Sequence, residues 1–281
     1  MHVDQLHSIM KTKQLILSFF EKSDHSYWIL LNQAFLLADT GKHKNNYYHN
    51  TYHLYSVAKM CARYMTFDFT GSPRRDCGYK IEEWEQAAIF VAALLHDYGH
   101  YGESLTHKPD SKNISWALFG LDCLKDSLVD INGLTGFDSK FKEEMLPKIL
   151  NLAGEAIAST EVEVIDGKLT FKECDDKNIG ILRDADVTAV MAEYSQNEIL
   201  SRGGKMCNGF NSEFVMAENV SRGLAREMEV PFDVNFQNNN IKFWESLTLY
   251  TSAANLYRQR ELPMIKEYYH PTVLSLLDLE D

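Results

Sequence analysis

The sequence is poor in positive charge, in cysteine and in long apolar runs, and each shortage excludes a class of protein. It holds 28 lysines and arginines against 40 aspartates and glutamates, for a net charge of −12. A nucleic-acid-binding surface carries the opposite sign, so we expect no nucleic-acid partner. The five cysteines stand apart without a CxxC pair, which argues against structural zinc and a disulfide framework. No apolar run approaches the roughly 20 residues needed to cross a bilayer, so no membrane association is expected.

The first residues, Met1–Gln5, lack the basic start and apolar segment of a secretory signal. We therefore expect a cytoplasmic protein. Nothing in the composition indicates an oligomeric state.

Apolar residues recur mainly with the period of a helix, and only six prolines interrupt them. The fold class predicted is all-α, in one compact domain over residues 1–281, with C-terminal helices 203–281 packed on a core of about 48–193. The helix Glu82–Leu95 ends in nine uninterrupted apolar residues, so it is predicted to be central and buried. One short β-hairpin could form near 162–171, around Asp166-Gly167. Further helices are predicted at Ile114–Leu128, Ser139–Ser159 (with a kink at Pro147), Gly180–Arg202, Glu213–Glu229 and Lys242–Arg260.

Six of the ten histidines lie between positions 43 and 107, and one of their contexts is chemically unusual. His96-Asp97 comes directly after the apolar helix and is followed by Tyr98, Gly99 and His100. Burying an unpaired imidazole and carboxylate costs several kcal/mol. A divalent cation offsets that cost because it accepts both groups as ligands. The alternative is a His-Asp pair that only caps the helix end.

A second pair of histidines stands four residues apart in Tyr48-His49-Asn50-Thr51-Tyr52-His53. If both are helical, they project from one face. His53 shares that face with Val57 and Cys61 and is predicted to point into the core, where it suits a metal ligand. His49 lies one turn nearer the solvent and suits a proton donor. The alternative is an exposed pair at a helix start.

The third candidate is a carboxylate in Asp184-Ala185-Asp186. Asp186 falls on the apolar face with Leu182 and Ala189, while Asp184 lies about 200° around the helix, so both cannot point inward. The pattern predicts that Asp186 is the buried residue and that Asp184 faces away. Asp186 would then need a metal, or else an arginine or backbone donors.

These residues together resemble the HD-domain metal-dependent phosphohydrolases, in which a His, a His-Asp pair and a distant Asp follow in order. Here the matching residues are His53, His96-Asp97 and Asp186. Two motifs, Tyr48-His49-Asn50-x-x-His53 and His96-Asp97-x-x-His100, look more narrowly like the class I cyclic-nucleotide phosphodiesterases. Ala185-Asp186-Val187-Thr188 is similar to that family's Ala-Asp-Ile-Ser. The resemblance covers about half of the chain, from Tyr48 to Glu193.

The resemblance implies a binuclear centre that hydrolyses a cyclic nucleotide or related phosphodiester with a metal-bridging hydroxide. His53, His96, Asp97 and Asp186 would bind the first cation, zinc, manganese or iron, and Asp97 would bridge to a second, magnesium or manganese. The catalytic residues would be His49, as the proton donor to the leaving oxygen, and His100, which orients the hydroxide or a water.

The loop that follows His100 is predicted to border the substrate mouth, with His107 or Lys108 near the phosphate. The partner expected is therefore a small nucleotide or phosphodiester.

The sequence also departs from the family pattern. Tyr101 stands where the family has a proline, Leu105 stands at an asparagine position, and the usual Glu-Asn-His-His is missing. No glutamine-and-aromatic clamp for a purine can be located, and the candidate aromatics also suit core packing: Phe210, Phe214, Phe232, Phe236 and Trp244. Three readings stay open beside the phosphodiesterase: a nucleotidase or nucleoside triphosphate phosphohydrolase of the same type, a non-catalytic nucleotide-binding module, and a helical interaction protein.

Overall fold

A computed structural model describes residues 3–66, 81–102, 111–131, 138–165, 168–171, 177–195 and 222–268, and most of these are helical. The fold class predicted, all-α, is confirmed. The helices are α1 Val3–Ser18, α2 His25–Thr40, α3 Thr51–Thr66, α4 Glu83–Leu95, α5 Ser111–Ile131, α6 Leu146–Ser159, α7 Lys177–Ser195, α8 Val234–Ser246 and α9 Ser252–Tyr268. A 3₁₀ turn covers Lys42–Asn45, a π turn covers Phe141–Met145, and residues 222–227 are also helical.

The short hairpin is present where the sequence predicts it. Strands β1, Val162–Ile165, and β2, Lys168–Phe171, pair antiparallel with Val162 opposite Phe171. The two residues between the strands lie outside the described part of the chain.

Helix α4 is the centre of the fold. Its last nine residues, Ala87–Leu95, are each at most 1% exposed, because α2, α3, α5, α6 and α7 all pack against it. Glu82 caps its start, and Glu85 bonds back to the Glu82 backbone N–H to complete a capping box. The helix therefore carries the His96-Asp97 pair that follows it into the interior of the molecule.

The chain turns sharply after α4 at two glycines. Gly99 and Gly102 have φ of +76° and +70°, in the left-handed region that glycine adopts without a Cβ penalty. Gly99 also lies against Trp116 of α5, whose Cβ would be 3.3 Å from a side chain placed there. The turn brings His100 back beside the end of α4.

The kink predicted at Pro147 is a π turn. Proline has no backbone N–H and cannot continue the regular hydrogen-bond ladder of a preceding helix. The chain widens by one residue before it, so that the Leu146 N–H bonds to the Phe141 carbonyl, and α6 starts afresh with Pro147 in its first turn.

The single helix predicted over Lys242–Arg260 is wrong. α8 ends at Ser246, Leu247 is extended, and α9 begins at Ser252. Tertiary hydrogen bonds replace the helical ones in between: the backbone N–H groups of Tyr250 and Thr251 donate to Asp184 of α7. Arg258 donates to the carbonyls left over at the end of α8.

The buried apolar side chains from α1 through α9 form one hydrophobic cluster. Among the described helices, none combines the length and apolarity that a bilayer span requires.

Candidate functional site

Four predicted ligands meet at the end of α4, and we call them the inner cluster: His53, His96, Asp97 and Asp186. His53 Nε2 lies 3.2 Å from Asp186 Oδ1 and 3.4 Å from Asp97 Oδ2. His96 Nε2 lies 3.2 Å from Asp97 Oδ2 and 3.5 Å from Asp186 Oδ1. α3, the α4 end and α7 each contribute to this group, so residues 133 positions apart converge on one point.

The possible metal-binding atoms of the inner cluster face one another, and His53 Nε2 lies within hydrogen-bond distance of Asp186 Oδ1. The His96 Nδ1–H donates to the Ala93 carbonyl at 2.9 Å, which leaves Nε2 facing the cluster. Within the described residues, His96 Nε2 and Asp97 Oδ2 are buried without a hydrogen-bond partner. Buried polar atoms in this state cost free energy unless something binds them. An imidazole-and-carboxylate donor set fits a divalent transition metal or magnesium.

The electrostatics of the inner cluster favour bound positive charge. Burial alone would raise the pKa of the Asp97 carboxyl, but the His96 and His49 charges outweigh it and hold the pKa well below its usual range. Burial likewise would lower the pKa of His96, yet Asp97 and Asp186 raise it well above normal. Without a metal, a proton balances the two carboxylates, and a cation would replace it.

Helix α3 begins two residues later than the two histidines require for a common helical face. Asn50 is its cap: the Asn50 Oδ1 accepts hydrogen bonds from the backbone N–H groups of Tyr52 and His53 at 2.9 and 3.3 Å. His53 is helical and points inward as predicted, whereas His49 precedes the helix, and the predicted shared face is wrong. The His49 ring still comes to 5.6 Å from the His53 ring.

His49 belongs to a second group, which we call the outer cluster: His49, His100 and Glu227. His49 Nδ1 lies 2.5 Å from Glu227 Oε2, while Glu227 Oε1 accepts from the backbone N–H groups of Tyr48 and His49. Burial would lower the pKa of His49, but Asp97, Glu227 and Asp186 outweigh it and raise the pKa to about 9. In the metal-free chain these carboxylates therefore favour the protonated form of His49.

The sequence analysis missed Glu227, which arrives from 178 residues away and belongs to no recognised motif. The only local signal is Gly223, one helical turn before it on the same face. A Cβ at Gly223 would lie 2.5 Å from the Tyr47 carbonyl oxygen, so only glycine lets this helix approach closely enough for Glu227 to reach His49.

His100 is the third member of the outer cluster, and its ring nitrogens are both engaged. Its Nδ1 accepts from the Gly102 N–H at 3.0 Å, and its Nε2 lies 3.0 Å from the Asn113 side-chain amide. The ring stacks on His49 at 4.0 Å between centroids. Burial and the charge on His49 lower the pKa of His100 to about 3, so it is neutral. In the structure its contact is with His49, and its proposed work on a water stays a prediction.

The prediction about Asp184 is wrong. Asp184 is 1% exposed, more deeply buried than Asp186, whose side chain is 23% exposed. Asp184 does point away from the inner cluster, but the opposite face of α7 is covered by the start of α9. There its carboxylate accepts two backbone N–H groups and the Thr251 hydroxyl, the latter at 2.8 Å.

His49 and Asp186 have the most exposed side chains of the two clusters, at 25% and 23%. His107 and Lys108, the predicted phosphate contacts, lie outside the described residues, as do Phe210 and Phe214. The remaining clamp candidates are placed elsewhere: Phe236 and Trp244 are buried in packing, and Phe232 lies under the Arg222 guanidinium.

Comparison with known proteins identifies no family for this chain. No protein-family model and no solved structure matches the chain. A stretch of 137 residues is 28% identical to WASH complex subunit 2 of Drosophila melanogaster. That match covers 45% of this chain and 9% of the relative, so the chain spans a small fraction of the curated relative it matches. The function is therefore argued from the site itself.

Proposed function

We propose that this protein is a metal-dependent phosphohydrolase, and that its substrate is a nucleotide phosphodiester. The observation that carries the proposal is the inner cluster: each of its two imidazole Nε2 atoms lies within 3.5 Å of an oxygen of Asp97 and of Asp186, and the buried His96 Nε2 and Asp97 Oδ2 lack hydrogen-bond partners in the described structure. The histidine-carboxylate pair of the outer cluster stands beside it as a proton donor.

The donor set of the inner cluster fits a divalent cation, and we propose a second cation beside it. His53, His96, Asp97 and Asp186 would hold a zinc, manganese or iron ion, and Asp97 would also reach a magnesium or manganese ion. When bound, two such cations neutralise charge on the phosphoryl oxygens and lower the pKa of the attacking water.

The outer cluster supplies the proton that a leaving oxygen needs. The Nδ1 of His49 bonds to Glu227, so Nε2 is the nitrogen that faces away from that carboxylate. Because Glu227 is buried and accepts two further backbone N–H groups, it holds the His49 ring in place. Stacking on neutral His100 covers one face of that ring. These contacts hold the His49 ring in one orientation. In its protonated form, His49 can donate the proton on Nε2 to the leaving oxygen of the substrate.

The cationic acid His49 beside the inner cluster suits an alkoxide leaving group, which phosphodiesters and phosphomonoesters both release, so the choice of a diester substrate depends on the residues after the His-Asp pair. Nucleotidases of this type usually carry acidic residues after the His-Asp pair, where this chain has Tyr98, Gly99 and His100. A nucleotidase, a triphosphate hydrolase and a non-catalytic nucleotide-binding module are the other outcomes that the following experiment separates.

The test compares the charge-removing variant Asp97→Asn with Asp122→Asn, a matched control on the exposed surface of α5. Protein stripped by a chelator is reloaded with manganese, its metal content is measured, and turnover of bis-p-nitrophenyl phosphate and of nucleoside mono- and triphosphates is followed. We expect the wild type and Asp122→Asn to retain metal and hydrolyse the diester. Asp97→Asn should lose metal affinity by more than about 100-fold and lose turnover, because a ligand is gone.

Undiminished turnover in chelated wild-type protein would contradict the metal requirement. Turnover only of mono- or triphosphates would reassign the substrate class. Metal and nucleotide binding without turnover of any substrate would indicate the non-catalytic module.

A further inference from the structure

Two exposed aromatic rings, each with a cation over its face, lie beside the outer cluster. The Arg226 guanidinium carbon is 3.8 Å from the centre of the Tyr47 ring. The Lys112 Nζ is 4.9 Å from the centre of the Tyr101 ring. Tyr47 is 52% exposed and Tyr101 is 44% exposed, so both rings keep a large surface open to solvent.

Each pair is tied by chain connectivity to one histidine of the stacked pair. Arg226 is followed by Glu227, which bonds to His49, and Tyr47 lies two residues before that histidine.

On the other side, Tyr101 directly follows His100, and Lys112 precedes Asn113, whose amide is 3.0 Å from the His100 ring. Since the His49 and His100 imidazoles stack at 4.0 Å, each aromatic-cation pair is joined through neighbouring residues to a different ring of that stack.

The composition of these pairs is suited to nucleotides. Nucleobases stack on aromatic side chains and on arginine guanidinium planes, at about 1–3 kcal/mol per base. A lysine or arginine beside such a ring provides charge for a phosphate. In a chain of net charge −12, Arg226 and Lys112 supply positive charge next to residues of the outer cluster.

From this placement we infer that the site takes a linear dinucleotide in preference to a compact 3′,5′-cyclic mononucleotide. One base would stack at Tyr47 and Arg226 and the other at Tyr101 and Lys112, with the connecting phosphodiester between them at the inner cluster. A cyclic mononucleotide has one base and one phosphate and can engage only one of the two pairs. The inference rests on the proposed function, since it names the substrate class of that same site.

The experiment measures binding, so it does not depend on turnover. Manganese-loaded protein is titrated calorimetrically with adenylyl-(3′→5′)-adenosine, in a form whose internucleotide phosphate carries one sulfur to slow hydrolysis. The matching phosphorothioate of cyclic AMP is the comparison ligand. We expect the dinucleotide to bind at least about tenfold more tightly than the cyclic nucleotide, because it engages a second stacking site.

Arg226→Ala and Lys112→Ala should each weaken dinucleotide binding about tenfold, and the double variant more. The control is Lys125→Ala, an exposed lysine on the same helix as Lys112 that lines a separate groove between α5 and α6. It should bind within twofold of the wild type.

Cyclic AMP binding as tightly as the dinucleotide would overturn the inference. So would no dinucleotide binding, variants that bind it like the wild type, or an equal loss in Lys125→Ala. If no diester is hydrolysed but the dinucleotide binds through Arg226 and Lys112, the phosphohydrolase proposal fails while this inference stands.

Discussion

The inner and outer clusters have nearly the same composition, yet only one of them is short of partners. Each brings histidines and carboxylate together within metal-binding reach. In the outer cluster, Glu227 accepts three hydrogen bonds, and both ring nitrogens of His100 are occupied. In the inner cluster, His96 Nε2 and Asp97 Oδ2 have no hydrogen-bond partner among the described residues.

This difference distinguishes a cluster with unpartnered buried atoms, where we propose a cation, from a cluster whose polar atoms are already bonded. Counting potential ligands would assign a metal to both clusters. Accounting for hydrogen bonds favours the proposal that the inner cluster binds the metal and the outer cluster holds a proton. The difference can be tested by disturbing each side and observing whether metal, proton or fold is lost.

The largest effect is expected from His49→Ala. The variant should keep its metal, because His49 is outside the inner cluster, and lose about 10²–10⁴-fold in rate on an alkyl phosphodiester, the usual contribution of general acid catalysis. With p-nitrophenolate as leaving group the loss should be much smaller, since that oxygen departs without a proton. Metal content and the rates on both substrates are the measurements.

Equal slowing of both substrates, or loss of metal, would make His49 a ligand or a positioning residue. His7→Ala, an exposed histidine on α1, is the control and should leave metal and rates unchanged.

A second effect, on stability, is expected from the two aspartates of α7. Asp184→Ala removes an acceptor of two backbone N–H groups and a hydroxyl and leaves those donors buried. We expect a loss of about 3 kcal/mol in the free energy of unfolding, with metal binding retained in the folded protein. Asp186→Ala should give the opposite result, a loss of metal with less change in the stability of chelated protein. Chemical denaturation gives the stability of both variants, and metal titration gives their metal affinity. Equal losses of stability and of metal affinity in the two variants would contradict a structural role for Asp184 and a metal-binding role for Asp186.

The smallest effect concerns the proton on His49 in chelated protein. Its pKa of about 9 in the folded chain exceeds the unfolded value of 6.5. The stabilisation is therefore complete below about pH 6.5 and is lost as the pH rises through 9. Glu227→Gln should weaken this pH dependence, because it removes a carboxylate that holds the proton. Histidine proton shifts in NMR give the midpoint, and a His49 midpoint near 6.5 would contradict the assignment.

The parts of the molecule that the sequence predicts well are those written in local patterns. α4 is recognised from its apolar run and its capping glutamates, and the inner cluster follows because each ligand stands in a short motif on a periodic helix. Convergence of those motifs needs only that their apolar faces share one core.

The predictions from sequence are wrong where contacts between residues far apart in the chain determine the structure. The angular argument for α7 is correct in separating Asp184 from Asp186, but it assumes that a face turned from the site meets solvent. α7 is covered on both sides, so the outward carboxylate is buried as well. The same contacts end a helix that periodicity alone would continue through residues 247–251. No local sequence pattern predicts the burial of Asp184 or the break in the helix at residues 247–251.

Glu227 gives the site a temporal order during synthesis. Ribosomes make the chain from its N-terminus, and every residue of the inner cluster precedes position 187. The carboxylate that holds the His49 proton comes later, on a helix that fits only because Gly223 lets it approach the Tyr47 carbonyl. All four proposed ligands are therefore made before the carboxylate that bonds to His49. Under the proposed function, the residue that completes the proton donor is the last part of the site to leave the ribosome.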